Sequence, residues 1–247
     1  MDINTNIPHG WSYFNLQYAD STNEEVKKLL QENHSIPLLL VSKQQGKGRG
    51  RLNRKWISLD GNLFFSFATD FSRLSPETIS YLVSVSLINS IDKFLFNHKK
   101  HIECKWPNDI CFQGKKVAGI LMEILNNGSI VVIGIGVNLV KTRIENSLYP
   151  VGDLSQFSID RESLMFDFCN EFIKQLALLD NYGFSYIRNI WLSRARGIGS
   201  KVIVNLGDNQ YSGIFRGVNH KGFLILDQYN GEEKIISTGD VIFSSGV

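Results

Sequence analysis

Apolar positions along the chain fall into blocks of different period. From Ser21 to Asn33 (STNEEVKKLLQEN), Val26, Leu29 and Leu30 recur at helical spacing, and Ser21 with Glu24 three residues later forms a capping-box pattern, which predicts a short helix. Leu38 to Ser42 is a brief apolar run suited to a buried strand. The Gly/Arg-rich stretch from Gln44 to Lys55 has no period and predicts a loop. Asn62 to Thr69 (NLFFSFAT) reads as a strand. Ser75-Pro76-Glu77 then supplies an N-cap, a first-turn proline and an acid for an amphipathic helix to about Phe96, with Ile79, Leu82, Val83, Ile91 and Leu95 on its face.

From Ile102 to Val140 the pattern turns to β. IECKW, DICF, KVAGILMEIL and SIVVIGIGVNLV are separated by Gly114 and by the turn string Asn126-Asn127-Gly128-Ser129. Helical spacing returns from about Arg161 to Leu179 and from Phe184 to Arg196. Strands and helices are grouped rather than alternating, which favours an α+β class: a mixed central sheet with flanking helices. After Gly197-Ile198-Gly199 the texture changes again. Five short strands (KVIVNL, YSGIFRGV, FLILDQ, EKIIST, DVIFSS) alternate with turns at Gly207-Asp208-Asn209, Asn219 to Gly222 and Asn230-Gly231, as in a small β-barrel. Two units follow, 1–196 and 197–247. The second is too small to carry a sufficient core alone and should dock on the first.

The 247 residues are 43% hydrophobic with a net charge of +2, which excludes a disordered chain and one whose whole surface is a nucleic-acid footprint. Six of the cations (Lys43, Lys47, Arg49, Arg51, Arg54, Lys55) fall between residues 43 and 55 with no acid among them. Without them the net +2 becomes −4, so the basic character is local. Cys104, Cys111 and Cys169 are sparse, odd in number and lack C-x-x-C spacing, as expected of reduced thiols in a cytoplasmic protein. Met1 to Gly10 reads as neither a signal nor a transit peptide, and no run approaches the roughly 18 apolar residues of a membrane span.

The 43–55 stretch reads as an anion site. Glycines 46, 48 and 50 let backbone N–H groups approach a ligand, and alternating arginines offer bidentate contacts to carboxylate or phosphate. It lacks the P-loop order; a solvated basic loop or an RNA-contacting arm is the alternative. Ile133-Gly134-Ile135-Gly136-Val137-Asn138 lacks the third glycine of a dinucleotide fingerprint, so it is either a strand that admits a ligand or an ordinary sheet bend. Lys105-Trp106-Pro107-Asn108-Asp109 predicts a bend that presents Asn108 and Asp109, or a plain turn. Lys116 opens an otherwise apolar strand, where most lysines simply mark the wet end. His9, His34, His98, His101 and His220 show no metal-ligand spacing, and no G-x-S-x-G elbow occurs, so hydrolase and metalloenzyme readings have no support.

Together, Ser21-Thr22-Asn23, Gln45 with Gly48-Arg49-Gly50-Arg51 and Arg54-Lys55-Trp56, Lys105 to Asp109, Lys116-Val117-Ala118-Gly119-Ile120-Leu121, and Gly134 to Asn138 closely resemble the biotin protein ligase family in order and spacing. The resemblance covers about residues 17 to 196, and the terminal strands resemble the SH3-like domain that ends such ligases. It implies a class II synthetase-like catalytic domain that forms biotinoyl-AMP and pyrophosphate from biotin, ATP and Mg²⁺. The biotin then passes to a lysine of the biotin carboxyl carrier protein of acetyl-CoA carboxylase. By resemblance, Ser21, Thr22, Asn23 and Gln45 bind the ureido ring. Gly48, Gly50, Gly119, Leu121 and Gly134 line the biotin pocket. Arg49, Arg51 and Lys116 handle the reacting anions, while Arg54, Trp56, Asn108 and Asn138 serve the nucleotide and its Mg²⁺, with no dedicated protein metal site. Asp109 orients or deprotonates the incoming lysine. The rivals are a lipoate ligase and an RNA-binding module, and the absence of aromatics between Lys43 and Lys55 counts against the latter. Two departures stand out. Leu52-Asn53 replaces the Arg-Gly of many members, and about 20 residues precede Ser21, too few for a helix-turn-helix domain, so DNA is not an expected partner; nor is a membrane, for want of a long apolar run. A monomer or weak homodimer is expected.

Overall fold

The computed structural model describes residues 7–96, 101–125, 129–142 and 149–243. Met1 to Asn6, His98, the Asn126-Asn127-Gly128 turn and the Ser244-Ser245 end of the last expected strand lie outside them. Among the described residues, β1 (Ser12–Ala19), β2 (Leu38–Gln45), β3 (Leu63–Asp70), β4 (Ile102–Lys105), β5 (Asp109–Phe112), β6 (Lys115–Leu125) and β7 (Ile130–Val137) form a seven-stranded sheet. Its order is β1-β2-β3-β7-β6-β5-β4. β1 runs parallel to β2, and every other pairing is antiparallel.

Alternation along the strands sends side chains to two faces. Leu38, Leu40, Ala68 and Val132 meet Val26, Leu29 and Leu30 of α1 (Thr22–Gln31) on one face. Leu39, Val41, Phe65, Phe67, Ile133 and Ile135 face α2 (Pro76–Asp92) and α3 (Arg161–Tyr182) on the other. There Phe65 packs edge-on against Phe168 at 5.2 Å and Phe67 against Phe172 at 5.1 Å, geometries that suit the ring quadrupoles. α4 (Phe184–Ser193) closes this layer over α2.

Several sequence expectations are corrected. β1 was not signalled: it is an edge strand with mostly half-exposed side chains, so no clean apolar pattern marks it. β2 runs on to Gln45, into the stretch expected to be loop. α2 starts as predicted, with Ser75 Oγ accepting from the Thr78 N–H at 3.2 Å, but stops at Asp92 instead of Phe96, which takes a left-handed φ of 47°. It is buried nearly all round rather than amphipathic. Its serines satisfy themselves inside the core, with Ser84, Ser86 and Ser90 each donating to the carbonyl four residues back at 2.8 Å.

The C-terminal strands β8 (Lys201–Leu206), β9 (Asn209–Val218), β10 (Leu224–Gln228), β11 (Glu233–Ile236) and β12 (Asp240–Phe243) make a five-stranded antiparallel sheet in the order β11-β10-β9-β8-β12. The described pairings leave β11 and β12 as its edges. Val202, Val204, Phe215 and Leu224 share one buried cluster with Trp191 and Tyr81, so the small unit does borrow core from the large one. Tyr81 Oη donates to the Gly222 carbonyl at 2.8 Å and Arg188 Nε to the Val218 carbonyl at 2.8 Å across the same contact.

Candidate functional site

A cavity of about 310 Å³ opens where the start of α1, the end of β2, the glycine-rich segment and the strands β5, β6 and β7 converge. It gathers motifs more than a hundred residues apart in sequence. One wall is neutral and hydrogen-bonding. Ser21, the N-cap of α1, makes no side-chain cap bond, contrary to the capping-box expectation. The expected partner Glu24 instead meets Lys27 at 2.9 Å and Arg49. The first helical N–H, that of Thr22, is satisfied by Gln45 Oε1 at 2.9 Å, and Thr22 Oγ1 donates to the same oxygen at 3.2 Å. Gln45 Nε2 donates to Ser58 Oγ at 3.2 Å, so the Gln45 amide is held from both ends.

The glycine-rich segment is a folded hairpin rather than a structureless loop. Gly50 N donates to the Arg54 carbonyl at 2.7 Å and Trp56 N to the Gly48 carbonyl at 2.9 Å, around a tight turn at Arg51 to Asn53. Leu52 (φ 55°) and Asn53 (φ 56°) are both left-handed. Asn tolerates that region, whereas Leu pays about 1 to 3 kcal/mol for it. The glycines serve packing more than ligand approach. A Cβ on Gly46 would collide with Tyr18 Oη, and one on Gly48 would lie 2.8 Å from Ser58 Oγ and the Trp56 carbonyl. Gly48 accordingly lies off the cavity wall, in contrast to its expected place, while Gly50 lines it.

The floor is the cross-strand pair Gly119 and Gly136 of β6 and β7, on which the Trp56 indole lies; a Cβ at either would sit 3.0 or 2.6 Å from the ring. Leu121 and Gly134, paired in the same ladder, continue that floor toward Asn23. Lys116 Nζ lies 5.5 Å from the indole centroid and 2.6 Å from Asp109 Oδ1.

The second wall is cationic, and Arg49, Arg51, Arg54 and Lys116 on it each already have a protein partner. Arg51 donates to Asn108 Oδ1 at 3.2 Å, to the Gly239 carbonyl at 3.2 Å and to Thr238 Oγ1 at 3.1 Å. Arg54 pairs with Asp240. Burial pushes the Asp240 carboxyl up, but the Arg54 hydrogen bond and nearby cations outweigh it and hold the group below the usual carboxylate range. The two expected amides face backbone with their nitrogens: Asn108 Nδ2 donates to the Ile120 carbonyl and Asn138 Nδ2 to the Gly152 carbonyl at 3.0 Å. Such a wall can take up an anion only by exchange, trading carboxylate and carbonyl partners for the anion's oxygens.

Among the lining residues that had been given no role are Lys105, Tyr149 and Asp240. Lys105, 6% exposed, holds its ammonium 3.5 Å over the Tyr149 ring, and desolvation lowers its pKa. Its signal was there: a lysine in a buried strand just before the Trp106-Pro107 bend. Tyr149 and Asp240 reach the cavity from distant segments, with no local pattern to announce them.

Residues 15–139 match the biotin/lipoate A/B protein ligase family, and residues 197–244 match the biotin protein ligase C terminal domain. A biotin--[acetyl-CoA-carboxylase] ligase of Paracoccus denitrificans is 31% identical over 240 residues, covering 92% of this chain and 99% of that one. The bifunctional ligase/repressor BirA of Escherichia coli is 31% identical over 230 residues, covering 89% of this chain and 70% of its own length. Among solved structures, a biotin protein ligase from Aquifex aeolicus in complex with biotin and ATP superposes with a TM-score of 0.82 at 27% identity, covering 94% and 99% of the two chains.

Proposed function

We propose that this chain, which belongs to the biotin/lipoate A/B protein ligase family, is an ATP-dependent biotin protein ligase whose acceptor is a lysine on the biotin carboxyl carrier domain of a carboxylase. The observation that carries the reading is one cavity with a neutral wall (Ser21, Thr22, Asn23, Gln45) facing a cationic one (Arg49, Arg51, Arg54, Lys116). A cyclic urea needs the first and a carboxylate meeting a polyphosphate needs the second. An apolar acid such as lipoate would leave the neutral wall's buried polar groups unpaired, which is costly.

In the first step a biotin carboxylate oxygen attacks the α-phosphorus of MgATP, the bond to pyrophosphate breaks, and biotinoyl-AMP remains. The carboxylate is already ionised at neutral pH, so no general base is required. Positioned cations are required instead. Arg49, Arg51 and Lys116 draw two anions together and stabilise the charge that builds on the phosphoryl oxygens, while Arg54, Asn108 and Asn138 hold the nucleotide end. Trp56 packs beside the adenine. Magnesium belongs to the nucleotide substrate; among the described residues no group of three or more His, Cys, Asp or Glu side chains comes together to hold a metal by itself.

In the second step the acceptor lysine nitrogen attacks the acyl carbon, the bond to the AMP oxygen breaks and the amine loses a proton. Asp109, whose carboxylate pairs with Lys116 at 2.6 Å, would orient that amine or take its proton. We assign 1–196 to the catalytic unit and 197–247 to the small C-terminal unit, a division supported by the family match that begins at residue 197. The C-terminal unit contributes Asp240 to the cationic wall. A cytoplasmic place is supported by three buried free thiols. Among the described residues, no helix is long and apolar enough to cross a membrane. The nucleic-acid alternative is disfavoured because Arg49, Arg51 and Arg54 line a cavity rather than an open face. The test is transfer itself: with biotin and MgATP, a purified carboxylase carrier domain should gain one biotin on its acceptor lysine, by intact mass. Transfer of lipoate but not biotin would overturn the assignment.

A further inference from the structure

The amide of Asn23 is gripped from two sides by residues that no motif singled out. Asn23, 3% exposed in the first turn of α1, lines the cavity. Its Nδ2 donates to Glu123 Oε2 of β6 at 2.6 Å, and Ser66 Oγ of β3, which also lies 2.7 Å from Thr22 Oγ1, is 2.6 Å from its Oδ1, where its single proton meets an oxygen that can only accept. A carboxylate only accepts, so the amide nitrogen must face Glu123; the flipped amide would set oxygen against oxygen. Gly134 leaves the room for this, because a Cβ there would overlap Asn23 Oδ1. The second Glu123 oxygen accepts from Lys27 at 2.7 Å and lies 3.6 Å from Arg49 of the glycine-rich hairpin.

We propose that Ser66 and Glu123 are positioning residues that lock the Asn23 amide in one of its two orientations, so that its remaining N–H and carbonyl lone pair are presented in fixed order to the ureido ring of biotin. Both remaining groups are needed, since a cyclic urea offers N–H donors and a carbonyl acceptor side by side. A freely flipping amide would match that pattern only part of the time, and preorganisation removes the cost. This inference rests on the reading of the cavity as a biotin site.

The test measures KM for biotin and for ATP by biotin-dependent pyrophosphate exchange in Ser66→Ala, Glu123→Ala, Glu123→Gln and the Ser66→Ala/Glu123→Ala double variant. Losing one hydrogen bond of this kind should raise the KM for biotin roughly tenfold in each alanine variant, with the KM for ATP within about twofold of wild type. Glu123→Gln keeps one acceptor oxygen for two donors, Asn23 Nδ2 and Lys27 Nζ, and should recover only part of the loss. The double variant should fall short of the product of the single effects, because both act on one amide. A biotin KM unmoved in Ser66→Ala and Glu123→Ala, or a parallel rise for both substrates, would overturn the proposal. If Glu123→Ala does not fold, Ser66→Ala decides. Failure of the wild-type protein to exchange at all would instead sink the reading of the site.

Discussion

Gly134→Ala puts the packing argument to a quantitative trial. Gly134 sits in β7 opposite Ser66 of β3 and Leu121 of β6. Its φ is not positive, so the backbone accepts alanine, and the loss of unfolded-state freedom alone would stabilise the protein by about 0.4 to 1 kcal/mol. Against that, the new Cβ overlaps Asn23 Oδ1 and lies 3.0 Å from Cγ. The amide cannot simply slide, being held by Ser66 and Glu123. If it stays, overpacking costs about 1 to 3 kcal/mol. If it swings away, a hydrogen bond to a charged group is lost at about 1.5 to 3 kcal/mol. Either way the steric term wins, for a net loss of about 1.5 kcal/mol. With a urea slope of about 1 to 3 kcal/mol per M, the midpoint should fall by roughly 0.5 to 1.5 M at unchanged slope. The KM for biotin should rise by roughly tenfold with it. A variant as stable as wild type with an unaltered biotin KM would refute the claim that this glycine exists to seat the Asn23 amide.

Arg51→Ala and Lys116→Met should each leave the circular dichroism spectrum intact while slowing adenylate formation by about 100-fold to 1,000-fold, the scale of a lost transition-state charge partner; near-normal rates in both would remove their assigned roles. Asp240 is held below the ordinary carboxylate range in the folded protein. Its contribution is therefore complete above the unfolded value and lost as pH falls through the folded one, so the urea midpoint of wild type should drop more steeply than that of Asp240→Asn between about pH 5 and pH 3. Parallel curves would show that the Arg54 pair does not couple to folding. Burial pushes Cys111 and Cys169 up to about 12 and raises Cys104 as well, so all three thiols should resist a disulfide reagent at pH 8 until the protein is unfolded; rapid labelling of the native state would contradict the packing.

The central architecture was legible because its strands are strongly apolar and its helices carry plain signals, such as Ser75-Pro76-Glu77. What escaped had physical reasons. β1 is a half-covered edge whose side chains follow no clear period. Helical spacing in α2 registered one face of a helix that is buried on nearly all sides, because serines that bond their own backbone do not look apolar. The Ser21–Glu24 pattern marked the right helix start for the wrong reason, since Gln45 takes the capping position and Glu24 turns to cations. Candidate-site residues in ordered motifs come together in the cavity, Gly48 excepted. Among those missed, Asp240 and Tyr149 reach it only through tertiary folding. Ser66 and Glu123 did leave a trace, each a polar residue between apolar neighbours in its strand, where a hydrogen-bond partner is needed.

The measurement closest to the core of the account is exchange of labelled pyrophosphate into ATP by the purified protein with magnesium. A ligase that joins biotin to AMP through the paired walls of this cavity should catalyse exchange only when biotin is added, with lipoate unable to substitute and Lys116→Met nearly silent. Absence of exchange with biotin, or equal exchange without it, would contradict the account.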